Sequence, residues 1–389
     1  MPFTGKATYQ AGTDLPELVE DVGDVIGIVS PFETPLLDHL GDAKRPAMST
    51  IHEWIEDELL ANFDTINQTV YTPNAQDATA ITVNNGSRFR IGDQLRPAAA
   101  REILFVTAVA ANVLTVVRRY GGTPASNLAN TLRLTIIGNA ALEGDDRPDP
   151  RFTNRVRRRN FTQIFTAAVE VSGSMLAARQ YGLGEEIEFQ KQNRMRELMR
   201  DLENCVINGV APAANQQGSA SIRRSMNGLI PAISTNQYVP NTGGIPAGGG
   251  AGFNELNEPV LNTAMRFIWE NASSRVDTIV VSGAQKRRIN TFLSASRQST
   301  SEQTRFRDLV SLYESDFGVC KIVLSRWVPP DTALLLDSSR IDVMPLQGRS
   351  FHFKPLAATG DRENGQVIGE YTVEFRNEAA HGLIRGLAT

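Results

Sequence analysis

The sequence predicts an α+β protein in which a small all-β unit interrupts a larger mixed domain. Three observations carry this reading. Five short β-type runs, punctuated by turn residues, lie between Thr69 and Gly138. One long amphipathic helical stripe occupies Gly184–Gly209, and helical and strand patterns alternate over the rest of the chain.

Residues 1–12 read as an unstructured tip. Asp14 then caps a helix with Glu17 three positions on, and Leu15, Leu18, Val19, Val22 and Ile26 form one apolar stripe. Ser30-Pro31 and Thr34-Pro35 end it, because a residue before proline is pushed out of the helical region. So short a helix must lay its stripe on its own body or on a neighbour.

Residues 49–60, opening Ser49-Thr-Ile-His-Glu-Trp-Ile, alternate polar and apolar as a strand does. The β unit is built from Ala80–Val83, Arg88–Ile91, Ile103–Val109, Val113–Val117 and Leu132–Ile137. Turns are expected at Asn84-Asn-Gly86, Gly92-Asp93, Ala111-Asn112 and Gly121-Gly122. Its ends, Gln68 and Asn139, would lie close together if the unit is inserted into a loop. Asn139–Pro150 is polar, and Arg159–Val171 resumes as a strand.

In the long helix, Ile187, Met195, Leu198, Met199, Leu202, Cys205 and Val206 share a face, and Gly209 ends it. A rise of ~1.5 Å per residue makes it roughly 35 Å long. Residues 210–255 are loop-rich, with Gly243–Gly252 expected to be flexible. Beyond them come a helix at Glu258–Glu270, a strand at Thr278–Val281, a helix at Ala284–Ala295, and strands at Val319–Leu324, Ala333–Leu336 and Val367–Phe375. No repeat of solenoid period is present.

Composition narrows the function. The chain has 389 residues, 41% hydrophobic and 21% charged, with formal net charge −4 and a pI near 5.7. A nucleic-acid binder normally carries a basic excess to neutralise phosphates, and this chain has none. No apolar run approaches the ~18 residues of a membrane span, and residues 1–12 lack the apolar core of a signal peptide. A soluble protein made in a cytoplasm is expected. Cys205 and Cys320 match no metal spacing and read as buried free thiols. Arginine outnumbers lysine 33 to six. That bias fits extensive intersubunit surface, and it fits high-GC coding equally.

No catalytic constellation emerges. His39, His52, His352 and His381 are the only histidines, none at i, i+4 to another, and no H-E-x-x-H occurs. His52 reads as a half-buried strand position. The glycines at 248–252 precede no Lys-Ser/Thr, and Val171-Ser-Gly-Ser-Met is not a nucleophile elbow. No cofactor or metal is expected. The acidic group Glu143, Asp145, Asp146 and Asp149 lacks the oxygen spacing of a calcium loop. Its natural counterpart is Arg155, Arg157, Arg158 and Arg159 on the following strand. Both clusters are candidate intersubunit contacts, with a solvated surface as the plain alternative and a calcium site for the acids or a phosphate site for the arginines as the minor ones.

Seven stretches in order resemble one family. They are Val29-SPFETPLLDHLG-Asp42, Ile51-HEWIEDEL-Leu60, Ala141-LEGD-Asp146, Asn160-FTQI-Phe165 with Val171-SG, Ser315-DF-Gly318, Pro355-LAATG-Asp361 and Glu370-YTVEFRNEAAH-Gly382. The chain is similar in these to tailed-bacteriophage major capsid proteins with the Hong Kong 97-type fold. The resemblance implies an N-terminal arm over 1–48 and an E-loop over 49–68 and 139–168, carrying an inserted β domain at 69–138. It further implies a peripheral domain over 169–215 and 339–366 with a spine helix at 184–208, and an axial domain over 216–338 and 367–389. The implied function is a non-enzymatic shell subunit of a virion, assembled in the host cytoplasm around double-stranded DNA held by enclosure. Its implied partners are itself, in pentameric and hexameric capsomers, with a scaffolding protein, a portal and a decoration protein. An encapsulin-like compartment shell, which shares the fold, is the alternative, and an enzyme is the rival from another class.

Overall fold

The computed structural model describes residues 34–41, 43, 45–57, 59–144, 150–151, 153, 155–177, 186–272, 274–296, 312–357 and 360–389. The expected helix from Asp14, and Asp145, Asp146 and Asp149, lie outside these. The first described element, α1 (Pro35–Leu40), has Pro35 in its first turn, where the missing N–H costs nothing, and stops at Gly41 with φ 73°. After it comes β1 (Ile51–Glu56).

Residues Ile55–Val156 form one compact unit and the remaining chain another. The first contains β2 (Phe63–Thr65), β3 (Ala80–Thr82), β4 (Asp93–Pro97), β5 (Leu104–Ala110), β6 (Val113–Val117) and β7 (Arg133–Asn139). These make one antiparallel sheet in the order β2-β7-β4-β5-β6-β3. Alternation along the strands sends Ile81, Leu95, Leu104, Val106, Leu114, Val116 and Leu134 into a core that Ile66, Val83, Phe89 and Leu128 complete. Glu102 is buried at its edge. It accepts from Nε and Nη2 of Arg118 at 2.8 Å each and from the Ser126 amide and hydroxyl.

Two expectations change here. Arg88–Ile91 is not a strand: a 3-10 turn at Gly86–Arg88, capped by the Asn85 side chain, sends Phe89 into the core. Gly86 permits that turn because a Cβ there would come within 1.8 Å of the Ala111 carbonyl oxygen. The sheet also starts before residue 69, at β2, whose three residues are too few for a period-2 signal.

The second unit carries β8 (Val156–Phe161), β9 (Gln163–Ser172), α2 (Gly173–Ala177), α3 (Glu186–Asn208), α4 (Leu229–Ala232), β10 (Gln237–Tyr238), α5 (Glu258–Ala272), β11 (Thr278–Val281) and α6 (Gly283–Ser296). It continues with β12 (Leu312–Ser315), β13 (Gly318–Leu324), β14 (Ala333–Leu336), β15 (Ile341–Pro345), β16 (His352–Pro355), β17 (Arg362–Phe375) and β18 (Gly382–Ile384). One sheet runs β10-β18-β14-β11-β13-β12, with β10/β18 and β11/β13 parallel. In the other, β17 pairs antiparallel with β15, β16 and β9.

Two cores follow from these layers. Leu198, Leu202 and Val206 of α3 pack with Val169, Val171, Val367 and Val373 of the β17 sheet. Val260, Leu261, Met265 and Ile268 of α5 pack with Ile279 and Val281 of β11 and with Leu335 of β14. β11 serves both, since its alternate residue Val280 faces the first core. The long helix ends where the glycine predicts: a Cβ on Gly209 would meet the Cys205 carbonyl oxygen at 2.4 Å.

Three further expectations are revised. The strand expected over Arg159–Val171 breaks at Thr162, whose N–H donates to the Thr50 carbonyl and whose buried hydroxyl donates to the Glu370 carboxylate. The glycine run at 243–252 is a hydrogen-bonded loop: Gly249 and Glu255 exchange both backbone bonds, and Gly248 N–H donates to the Phe253 carbonyl. The expected boundary between 366 and 367 falls inside β17, which runs unbroken in register with β9 from Arg362 to Tyr371.

Candidate assembly surface at the hairpin and its root

β1 and β8 form a two-stranded sheet of their own. A lone pair of strands is marginal in water and needs a further surface to bury against. Along β1, Ile51, His52 and Trp54 are half-buried, and His52 stacks on Trp54 with centroids 5.9 Å apart. Ile55 is 67% exposed, Val156 46% and Met48 76%. Val156, Arg157, Arg158 and Arg159 are all exposed.

The predicted contact residues divide. Arg157 Nη1 lies 3.5 Å from Glu53 Oε2, and Arg155 Nε lies 3.8 Å from Asp57 Oδ2. Among the described residues, the carboxylates that meet these two arginines come from the opposite limb of the hairpin. Arg159 stands over the Phe161 ring, 5.7 Å from its centroid. Glu143 is exposed, while Asp145 and Asp146 lie outside the described residues.

The root of the hairpin is built on β17. Glu370, Thr372 and Glu374 occupy alternate positions on one face, and all three are buried. Glu370 Oε1 accepts from Thr162 and from Arg224 at 2.5 Å each, and Arg349 Nε lies 2.8 Å from Oε2. Thr372 Oγ1 donates to the Phe161 carbonyl at 3.0 Å, and Asn160 Nδ2 donates to the Val373 carbonyl at 2.8 Å. Glu374 accepts from Arg45 at 3.0 Å and meets His52 Nε2 at 2.5 Å. Burial opposes ionisation of Glu374, but the His52 hydrogen bond and the nearby His52 and Arg45 charges outweigh it, holding the carboxyl below its ordinary range. An open cleft of about 520 Å³ lies beside this clamp, lined by Arg45, Pro46, Met48, Ser49, Ile51, His52 and Glu53.

Sequence reasoning missed this root, although the residues were in view. Glu370-Tyr-Thr-Val-Glu374 alternates polar and apolar, which reads as a strand with one wet face. That face is covered by residues 45–52, 160–162 and 224, distant in sequence. His52 is half-buried as expected, and its partner could not be read from the local pattern.

The remaining chemistry is structural. His381 is buried beside Phe375, and burial pushes its pKa down to about 4. Cys205 is half-buried and Cys320 buried, and neither is in a disulfide. Among the described residues, no three His, Cys, Asp or Glu side chains gather as a metal would need, and no helix is long and apolar enough to cross a membrane.

The described elements thus include a long helix on a four-stranded antiparallel sheet, a six-stranded mixed sheet and a two-stranded pair, β1 with β8. Residues 3–388 match the SU10 major capsid protein family, and the chain belongs to that family. It is 22% identical over 289 residues to the major capsid protein of Escherichia phage Phieco32, covering 63% of this chain and 80% of that one. To the major capsid protein of Pseudomonas phage PaMx41 it is 28% identical over 167 residues, 43% of this chain and 39% of the relative. The capsid of the myovirus XM1 shares the fold, with TM-score 0.51 and 9% identity over 99% of this chain and all of that one. The protein is thus a structural component of a phage head that assembles with copies of itself into the shell.

Proposed function

We propose that the chain acts only as a building block and catalyses no reaction. It forms pentameric and hexameric capsomers through head-to-tail contacts that close into rings, and the rings join into an icosahedral shell. Many moderate contacts per subunit hold the particle, since a subunit leaves only by breaking several together. The hairpin of 49–68 and 139–168 is the reaching element, and Glu143, Asp145, Asp146, Arg155, Arg157, Arg158 and Arg159 are its polar contacts with a neighbour. The β unit it carries, the arm of 1–48, and the peripheral and axial portions take the roles the family resemblance implies. Assembly in the host cytoplasm, with a scaffolding protein, a portal and a decoration protein around enclosed DNA, completes the reading.

One observation carries it. The hairpin exposes Ile55, Val156 and Arg157–Arg159 together, while its root is tied down by buried carboxylates. Such a surface is costly in a monomer and useful at an interface rich in arginine. The test is light scattering on the double charge reversal Arg157→Glu with Arg158→Glu. The parent chain is expected to reach capsomer or shell mass, and the variant to remain folded but smaller. Full assembly by the variant would remove the arginines from the interface.

A further inference from the structure

We propose that Glu203 is a proton-sensitive latch that holds α1 against α3 and the loop after β13, and that it closes more tightly when protonated. The geometry is specific. Thr34, at the N-cap of α1, makes no side-chain cap bond. The first free amides of the helix, Leu36 N–H and Leu37 N–H, both donate instead to Glu203 Oε2 at 3.1 Å. Oε1 accepts from Ser325 Oγ at 3.1 Å. Glu203 thus ties three segments together: the helix that residues 1–33 lead into, the long helix, and the end of β13. Leu36, at the same contact, is fully buried in the larger core.

Glu203 is itself fully buried, and all three donors that reach it are neutral. A carboxylate held that way is poorly compensated. Burial pushes its pKa up to about 7; the Leu37, Leu36 and Ser325 hydrogen bonds pull the other way, and the Asp38 charge on α1 adds to the rise. A released Glu203, back in water, would titrate near its ordinary 4.5. The docked state therefore binds the proton more tightly than the released one. Its contribution to docking is complete below about pH 4.5 and is lost as pH rises through about 7.

His39, at the other end of α1, works in the opposite sense. Its Nε2 meets Thr278 Oγ1 at 2.8 Å, and its Nδ1 lies 3.0 Å from Lys321 Nζ. Burial and the Lys321 charge lower its pKa, opposed by Asp277. Docking through His39 is therefore favoured by the neutral ring and weakens as pH falls. A clean measurement needs this group silenced, which His39→Gln does while keeping a donor for Thr278.

The experiment is hydrogen–deuterium exchange of the full-length His39→Gln chain, followed at the Leu36 and Leu37 amides and corrected for intrinsic rate. Protection there reports the docking equilibrium. A docked pKa near 7 predicts about tenfold loss of protection between about pH 6 and about pH 8. Glu203→Gln in the same background should be flat across that range. Ser325→Ala, which removes a donor from the carboxylate, should keep the slope and move its midpoint to higher pH. A flat profile in the His39→Gln chain, an unchanged slope after Glu203→Gln, or an unmoved midpoint after Ser325→Ala would each overturn the latch and leave Glu203 a static tether.

Discussion

Glu374 of β17 and His52 of β1, 322 positions apart in sequence, are joined by a 2.5 Å hydrogen bond inside the protein. Through that bond a strand of the four-stranded sheet grips the first limb of the hairpin, with Arg45 completing the clamp on the same carboxylate. Truncating His52 to alanine is expected to lower stability by about 1–3 kcal/mol, the usual loss for a hydrogen bond to a charged, buried partner. Because the folded Glu374 pKa lies below its ordinary value, its stabilisation is present above about pH 4.5 and fades as pH falls. Denaturant titrations at several pH values check both points. In acid, Glu374→Gln should lose stability less steeply than the parent.

The buried pair of the β unit makes a sharper case. Four donors from Arg118 and Ser126 outweigh the burial that would raise the Glu102 pKa, and hold it at about 2. Arg118→Ala would leave this carboxylate buried and partly unmatched, at a cost of about 3–5 kcal/mol. A fragment spanning 55–156 should melt cooperatively, and one cut to 69–138 should be weaker, since it lacks β2 and Ile66. Circular dichroism of the two fragments and of the Arg118 variant tests this. Equal melts for both fragments would show that β2 adds nothing.

Local pattern made the long elements legible and left the long-range polar contacts hidden. The helix Glu186–Asn208 and the strands at 278–281 and 333–336 stand within the bounds that periodicity and Gly209 set. The place of Glu203 could not be read locally, because the pattern cannot reveal that α1 and Ser325 close over it. Glu370 and Glu374 were hidden for the same reason. The strand at 88–91 was misplaced because Gly86 and Gly92 bend the chain there, a backbone effect that apolar spacing does not report. Of the predicted contact residues, Arg155 and Arg157 were visible as a cluster, but their intrachain partners depend on how the limbs pair.

An exposed apolar side chain on the hairpin separates assembly from folding. Ile55→Glu changes a residue 67% exposed, so stability should move by no more than about 0.5 kcal/mol. Assembly, by contrast, should drop sharply if this limb meets a neighbour. Thermal melts alongside sedimentation velocity would check the two halves; unchanged assembly would place Ile55 outside the interface.

A covalent isopeptide link between subunits through the hairpin would need a lysine amine on that hairpin. Here no lysine occurs between Lys44 and Lys191, so neither limb of the hairpin nor the β unit has an amine that can lose its proton and attack an amide. Arginine cannot substitute, because its guanidinium stays protonated. Mature particles boiled in denaturant should run as a monomer near 42.6 kDa. A ladder of covalent multimers would show cross-linking by another route.

Electron microscopy of the particles this chain builds tests the central claim most directly. The account predicts closed icosahedral shells whose continuous wall is built from copies of this chain, with the β1–β8 hairpin lying over an adjacent copy. Particles whose shell is made by a different protein, or a chain that stays monomeric at every concentration with and without a scaffold, would contradict it.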